Sequence, residues 1–252
     1  MTPPPRYEVI GIQGIGEVRR GDDIAALIVE AAARQSTPVL AADLLVIGQK
    51  IVSKAEGRVV KLGDVTPSPI AIAMAPALGK EPPLVEVILR ESRRVVRMAQ
   101  GVIITETHHG WVCANAGVDQ SNVDADTVAL LPEDSDRSAR QVRDRVRVLA
   151  GVDVRVIITD TFGRPWREGL TNIAIGVAGF APLRSYLGER DPAGRPLQAT
   201  ILALADELAG AAEPVMGKLD RIPAAIVRGL TLSAAEEGSK PLVREPARDL
   251  FR

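Results

Sequence analysis

Short apolar runs alternate with amphipathic stretches along this chain. Residues 7–12, 44–47, 101–105, 154–159 and 224–227 are brief runs rich in aliphatic side chains, and they predict strands. His109-Gly110 reads as a turn into a further strand over residues 111–114. Ile24, Leu27, Ile28 and Ala31 recur at helical spacing behind Asp22 and Asp23, whose carboxylates suit the first turn of a helix. Residues 67–78 and 82–98 predict two helices, each with proline near its start, where the missing N–H costs nothing. Residues 135–149 predict an amphipathic helix. Ala139, Val142, Val146 and Leu149 share one face, and Arg137, Arg140, Arg143, Arg145 and Arg147 read as its solvated side. Residues 198–216 also read as helix, with a strand as the open alternative over 199–204. These elements mix without a regular βαβ rhythm. The expected class is α/β of the mixed α+β kind, neither Rossmann nor P-loop.

No apolar run approaches the ~20 residues needed to span a bilayer, and the proline-rich N-terminus lacks the apolar segment of a leader. A soluble, cytoplasmic protein without a membrane partner is expected. No repeat or low-complexity linker divides the chain. Residues 1–235 are read as one domain and residues 236–252 as a charged tail.

Composition narrows the chemistry. Two histidines and one cysteine, Cys113, leave almost no room for a Cys/His zinc site or a disulfide scaffold. A bound metal would have oxygen ligands and be a hard ion such as Mg²⁺ or Mn²⁺. With 31 basic and 32 acidic residues, the chain lacks the field of a nucleic-acid binder. Only six of the basic residues are lysines, so each is worth locating.

Gly11, Gly14 and Gly16 follow the first strand, but their spacing is GxxGxG and the next residues are polar. They read as a glycine-rich turn, not a dinucleotide fingerprint. Gly79-Lys80 and Gly217-Lys218 lack the Ser/Thr of a phosphate loop. Three segments hold more promise. Lys54 lies just beyond the strand at 44–47, where a cation could neutralise phosphate or merely pair with a surface acid. Asn115, Asp119, Ser121 and Asn122 form a loop suited to metal or phosphate, or an ordinary Asx-rich turn. Asp160-Thr161 follows the buried strand at 154–159. It could offer a carboxylate and a hydroxyl to a divalent ion, with Arg164 and Arg167 clamping anions, or Asp160 could simply cap a turn. His108 and His109 read as turn residues and Cys113 as a small apolar residue.

Taken together, these residues resemble the coenzyme F420-0:γ-glutamyl ligase family. Five segments match in order: Gly14-Ile15-Gly16-Glu17-Val18 with Gly21-Asp22-Asp23; residues 51–58; residues 115–122; residues 157–164; and Met216-Gly217 with Ile222-Pro223 and Val227-Arg228-Gly229. They span nearly the whole chain. The stretch Thr105 to Trp111 is similar to the actinobacterial form, in which the ligase is followed by a nitroreductase-like flavin domain. The tail at 236–252 would then be the linker to such a domain.

The resemblance implies a family-specific α/β fold, an intertwined homodimer, and GTP-dependent addition of L-glutamate to the precursor of the deazaflavin coenzyme F420. The first glutamate joins the lactyl carboxylate and later ones are γ-linked, each through an acyl phosphate. It also implies two divalent ions, Mn²⁺ or Mg²⁺, with K⁺ as activator. Asp119 and Asp160 would hold metal, Thr161 would help with the second ion, and Lys54 would join them in catalysis. Ile15, Gly16, Glu17, Val18, Gln49, Lys50, Lys54, Asn122, Met216 and Gly217 would line the nucleotide. Archaeal members carry an acid just after the Met-Gly pair. This chain has Lys218 there, which leaves Asp220 as the candidate ligand. Arg164, Arg167 and Arg195 are candidates for the coenzyme's phosphate or carboxylates. Two other readings stay open: a metal-dependent nucleotide phosphohydrolase, and a nucleotide- or coenzyme-binding module that needs a C-terminal partner.

Overall fold

The computed structural model describes residues 4–121 and 124–249. In chain order the strands are β1 (Glu8–Gly11), β2 (Leu44–Gly48), β3 (Val59–Lys61), β4 (Ser92–Ala99), β5 (Val102–Thr107), β6 (Val112–Ala114), β7 (Thr127–Ala129), β8 (Arg155–Arg164), β9 (Arg167–Ala178), β10 (Arg184–Ser185), β11 (Ile201–Leu202) and β12 (Ala224–Arg228). The α-helices are α1 (Ile24–Arg34), α2 (Gln49–Glu56), α3 (Pro69–Leu78), α4 (Pro82–Arg90), α5 (Ser135–Ala150) and α6 (Leu204–Met216). The mixed α/β class expected from the sequence is the class observed. No described helix is long and apolar enough to cross a membrane.

A five-stranded sheet ordered β1-β12-β2-β8-β9 carries the larger lobe. Only β2 and β8 run parallel; the other neighbours are antiparallel. Strand side chains alternate between two cores, as a pleat with both faces covered requires. Leu45, Ile47, Val156, Ile158 and Ile226 pack with α1, α2 and α5. Leu44, Val46, Ile157 and Val227 pack with Ala205, Leu208, Ala209 and Ala212 of α6. A smaller lobe joins the β4-β5-β6 sheet, the β3-β7 pair, α3 and α4 around Leu62, Leu78, Val85, Ile88, Ile103 and Val128.

Several helix ends follow from single residues. The Asp23 carboxylate caps α1 by accepting from Ala26 N at 3.0 Å, and Asp134 caps α5 by accepting from Arg137 N at 2.8 Å. Two expectations needed correction. The helix predicted over residues 82–98 stops at Arg90, and Ser92–Ala99 becomes β4, paired with β5 through two register shifts. The strand predicted to end before Asp160 continues to Arg164 and turns directly into the 12-residue β9. Asp160 is therefore inside a strand and caps no turn.

Candidate active site

Strand directions bring the motifs to one end of the large sheet. Gly11 at the end of β1 pairs with Ala225 near the start of β12, Ala224 pairs with Ile47, and Gly48 pairs with Thr159. The segments after β1, after β2, along β8 and before β12 thus meet beyond the same sheet edge. Ile12 N and Gly48 N extend the pairing, donating to Ala224 O and Pro223 O, both at 2.8 Å. A Cβ on Gly11 would lie 3.0 Å from Ile222 Cγ2 and 3.1 Å from Val215 O, so the approach of these segments needs glycine there.

The segment after β2 folds into α2, an element the sequence reading left unassigned. Its Lys54 ion-pairs with Glu17 on the glycine-rich segment. Its Lys50 reaches into the smaller lobe, where Nζ lies 2.8 Å from Asp119 Oδ2 and also bonds the Ser121 hydroxyl. Gln49 is buried, accepts from the Ser53 hydroxyl at 2.8 Å, and has no partner for its Nε2. Ile15, Val18 and Met216 are buried in the cores, so they can meet a ligand only through backbone or side-chain edges.

Asp119 comes from the smaller lobe, where its backbone pairs both ways with Ala129 at 3.0 and 2.8 Å. The loop before it holds Asn115, Ala116 and Gly117 with φ of 53°, 55° and 71° in succession. A Cβ on Gly117 would strike Leu131 at 2.8 Å, so this turn is both left-handed and close-packed. Burial opposes ionisation of Asp119, but hydrogen bonds from Lys50 and from Ser121 N–H hold its carboxyl below the usual range.

Asp160 behaves in the opposite way. Burial first, and then the charge of Asp119, push its carboxyl up to about 6, against Thr161 N–H, Lys50 and Lys218. It has no hydrogen-bonding side-chain partner among the described residues. The neighbouring Cys113 thiol is pushed up to about 12 by burial and by the Asp160 charge, which suits a packing residue and no nucleophile.

Beyond Asp160 lies a ring that the sequence reading missed. The Thr161 hydroxyl donates to Asn172 Oδ1 at 2.7 Å, and Asn172 Nδ2 donates to Glu213 Oε2 at 2.7 Å. Lys218 Nζ closes it, 2.7 Å from Thr161 Oγ1 and 2.9 Å from Glu213 Oε1. Asn172 could have been found only by pairing β9 with β8, where it faces Thr161. Glu213 lies in the last turn of α6, close before the Met-Gly pair.

The other candidates fall elsewhere. Asp220 lies against Gly217, where a Cβ would meet its Oδ2 at 2.5 Å. Arg164 donates to Glu168 O at 2.7 Å within the β8–β9 hairpin, whose last pair is Arg164 with Arg167. Arg195 is held by Asp191 at 3.0 Å in the excursion between β10 and β11. His108 and His109 donate to backbone carbonyls, of Arg90 at 2.8 Å and of Pro132 at 2.9 Å, as turn residues. Asn122 lies outside the described residues. A separate cleft of about 350 Å³ between α1, α2 and α5 is lined by Asp22, Val52, Glu56, Ser138 and Arg145, and it contains no predicted site residue. Charge marks the candidate end of the sheet.

Asp119 and Asp160 fit a hard divalent ion: both are carboxylates, and the half-buried Asp160 lacks a cationic hydrogen-bond partner. The buried, unpartnered Asn115 Oδ1 adds an oxygen on the loop that leads to Asp119. Among the described residues no three acidic, histidine or cysteine side chains converge as a cage. Such a site suits an ion that shares its shell with substrate phosphate and water.

The sequence model of the F420-0:gamma-glutamyl ligase family matches residues 13–229, which include all of these segments. The chain belongs to this family. It is similar to the coenzyme F420:L-glutamate ligases of Methanothermobacter thermautotrophicus, with 46% identity over 97% of this chain and 98% of that protein, and of Methanopyrus kandleri, with 50% identity over 94% of each. The Methanocaldococcus jannaschii protein of the same name is 43% identical over 85% of this chain and 86% of its own length. As a family member, the chain brings parts of its five recognisable segments, from Ile15 to Val18, Lys50 and Lys54, Asp119, Asp160-Thr161 and Met216-Gly217, towards one sheet end from two lobes.

Proposed function

We propose that this protein is a GTP-dependent ligase that joins L-glutamate to the coenzyme F420 precursor by amide bonds. The observation that carries this reading is the family match over residues 13–229, with a sequence shared almost end to end with named ligases.

A carboxylate is a poor electrophile for an amine. In the proposed reaction an oxygen of the acceptor carboxylate attacks the γ-phosphorus of GTP, and the bond to the β-phosphate oxygen breaks, releasing GDP. The glutamate amine then attacks the acyl carbon, loses a proton, and inorganic phosphate leaves. Phosphoryl transfer asks the protein chiefly for positioning and charge neutralisation. Lys50 and Lys54 provide cations on one helix that opens beyond β2. Backbone N–H groups of residues 15–18 provide donors on the facing segment. A divalent ion held by Asp119 and Asp160 would neutralise phosphate oxygens. Arg164 and Arg167 are assigned to anionic groups of the coenzyme, and K⁺ is carried over as activator.

The protein is also proposed to act as a homodimer. Trp166, 79% exposed, and Leu170, 69% exposed, present two large apolar side chains on the β8–β9 hairpin to such an interface. Sizing chromatography with light scattering tests this.

The decisive assay combines the protein with GTP, Mn²⁺, L-glutamate and the precursor, and follows coenzyme mass. Stepwise addition of glutamyl units with matching GDP release is expected. GDP release without glutamate or coenzyme would instead favour a phosphohydrolase, and ATP in place of GTP checks nucleotide choice.

A further inference from the structure

We infer that Lys218 is a built-in cation that stands where a second divalent ion would otherwise sit, so that the site binds one ion per chain. The inference rests on the reading that Asp119 and Asp160 hold a divalent ion.

Donors and acceptors are committed differently on the two sides of the site. On the Asp160 side a half-buried carboxylate has no cation hydrogen-bonded to it. On the Thr161 side each side-chain oxygen already has a partner. The Thr161 hydroxyl gives its only proton to Asn172 and accepts from Lys218. Glu213 spends one oxygen on Lys218 and the other on Asn172. Every side-chain oxygen in the ring is thus engaged. A cation entering there would break charge-assisted bonds and face an ammonium group.

The charge balance agrees. Asp119, Asp160 and Glu213 carry three negative charges, and Lys50 and Lys218 two positive ones. One divalent ion turns this balance positive, as binding of a polyphosphate requires. The remaining acid, Asp220, lies against Gly217 and is not part of the ring. The second ion implied by family resemblance, with Thr161 and Asp220 as ligands, does not fit these residues.

The test is a titration of the whole chain with Mn²⁺ followed by electron paramagnetic resonance, with circular dichroism to confirm folding of each form. Wild type should bind one ion per chain and give an isolated-ion spectrum. Lys218→Glu removes the ammonium and adds a carboxylate, so it should bind two ions with a coupled, broadened spectrum. Lys218→Met, which only removes the charge, should bind a weaker second ion. Two coupled ions in wild type would overturn the inference, as would one ion in all three forms or none in wild type. Glutamylation is scored separately. An inactive wild type that binds one ion removes the ligase reading and leaves the ion count standing.

Discussion

The two ends of the large sheet use the same residue types to opposite effect. At the end where β2 and β8 begin, Asp43 is 2% exposed and is gripped by Arg228 through two bonds of 2.9 and 2.7 Å. Nearby, hydrogen bonds from Arg143, helped by Arg147 and opposed by burial, hold the Asp153 carboxyl down at about 2. At the other end burial and the charge of Asp119 push the carboxyl of the half-buried Asp160 up to about 6. A lowered carboxyl marks a charge whose partner is in place, and a raised one marks a charge that awaits a partner. The first end holds the sheet together, whereas at the second Asp160 has no bonded cation.

The sharpest way to break this contrast is Asp160→Asn. It keeps the size and removes the charge, so glutamylation should fall by more than the ~100-fold upper range for residues that merely support a metal ligand. The melting temperature should hold or rise, because a half-buried carboxylate without a bonded cation is lost. A clear drop in melting temperature would make Asp160 structural and end the comparison. Asp43→Asn should do the reverse. Removing one partner of a buried ion pair costs ~3–5 kcal/mol. Arg228 keeps some water contact, so about 2–3 kcal/mol is expected, lowering the melting temperature by roughly 4–12 °C, with turnover of the folded enzyme unchanged.

Acid provides a subtler test. Because the folded Asp153 carboxyl is depressed from 3.8 to about 2, its stabilisation is complete above about pH 4 and is lost as pH falls through 2. Wild type should therefore lose its stability advantage over Asp153→Asn across that window, measured as melting temperature against pH. The smallest effect is expected for Glu17→Gln. With Glu17 exposed, the pair is worth ~0–1 kcal/mol, so stability should barely change, while Lys54 loses its tether and the KM for GTP shifts.

The sequence revealed elements whose pattern is local. α5 shows its apolar stripe through Ala139, Val142 and Val146, and β2 and β12 stand out as short aliphatic runs. β4 was hidden because Val95, Val96 and Met98 continue the apolar rhythm of α4, and only pairing with β5 decides for strand. α2 was hidden because its eight residues are mostly polar. At the site, Asp119, Asp160 and Lys54 were legible as charges beside glycine-rich or strand-end sequence. Asn172 and Glu213 were not, since their meaning arises from register across a hairpin and from a helix end 41 residues further on.

The position of β12 also governs how the fold can be reached. This strand, which ends at Arg228, inserts between β1 and β2, so Glu8 meets a partner 220 residues later in the chain. A nascent chain cannot close the sheet until that segment has been synthesised. Until then β1 and the inner edge of β2 lack their shared neighbour, and the loops that converge on Asp160 have no common scaffold. Pairings this distant cost loop entropy before they return contacts, which slows folding and leaves strand edges open to aggregation. Ion binding should therefore appear late during refolding, in step with native structure and not ahead of it.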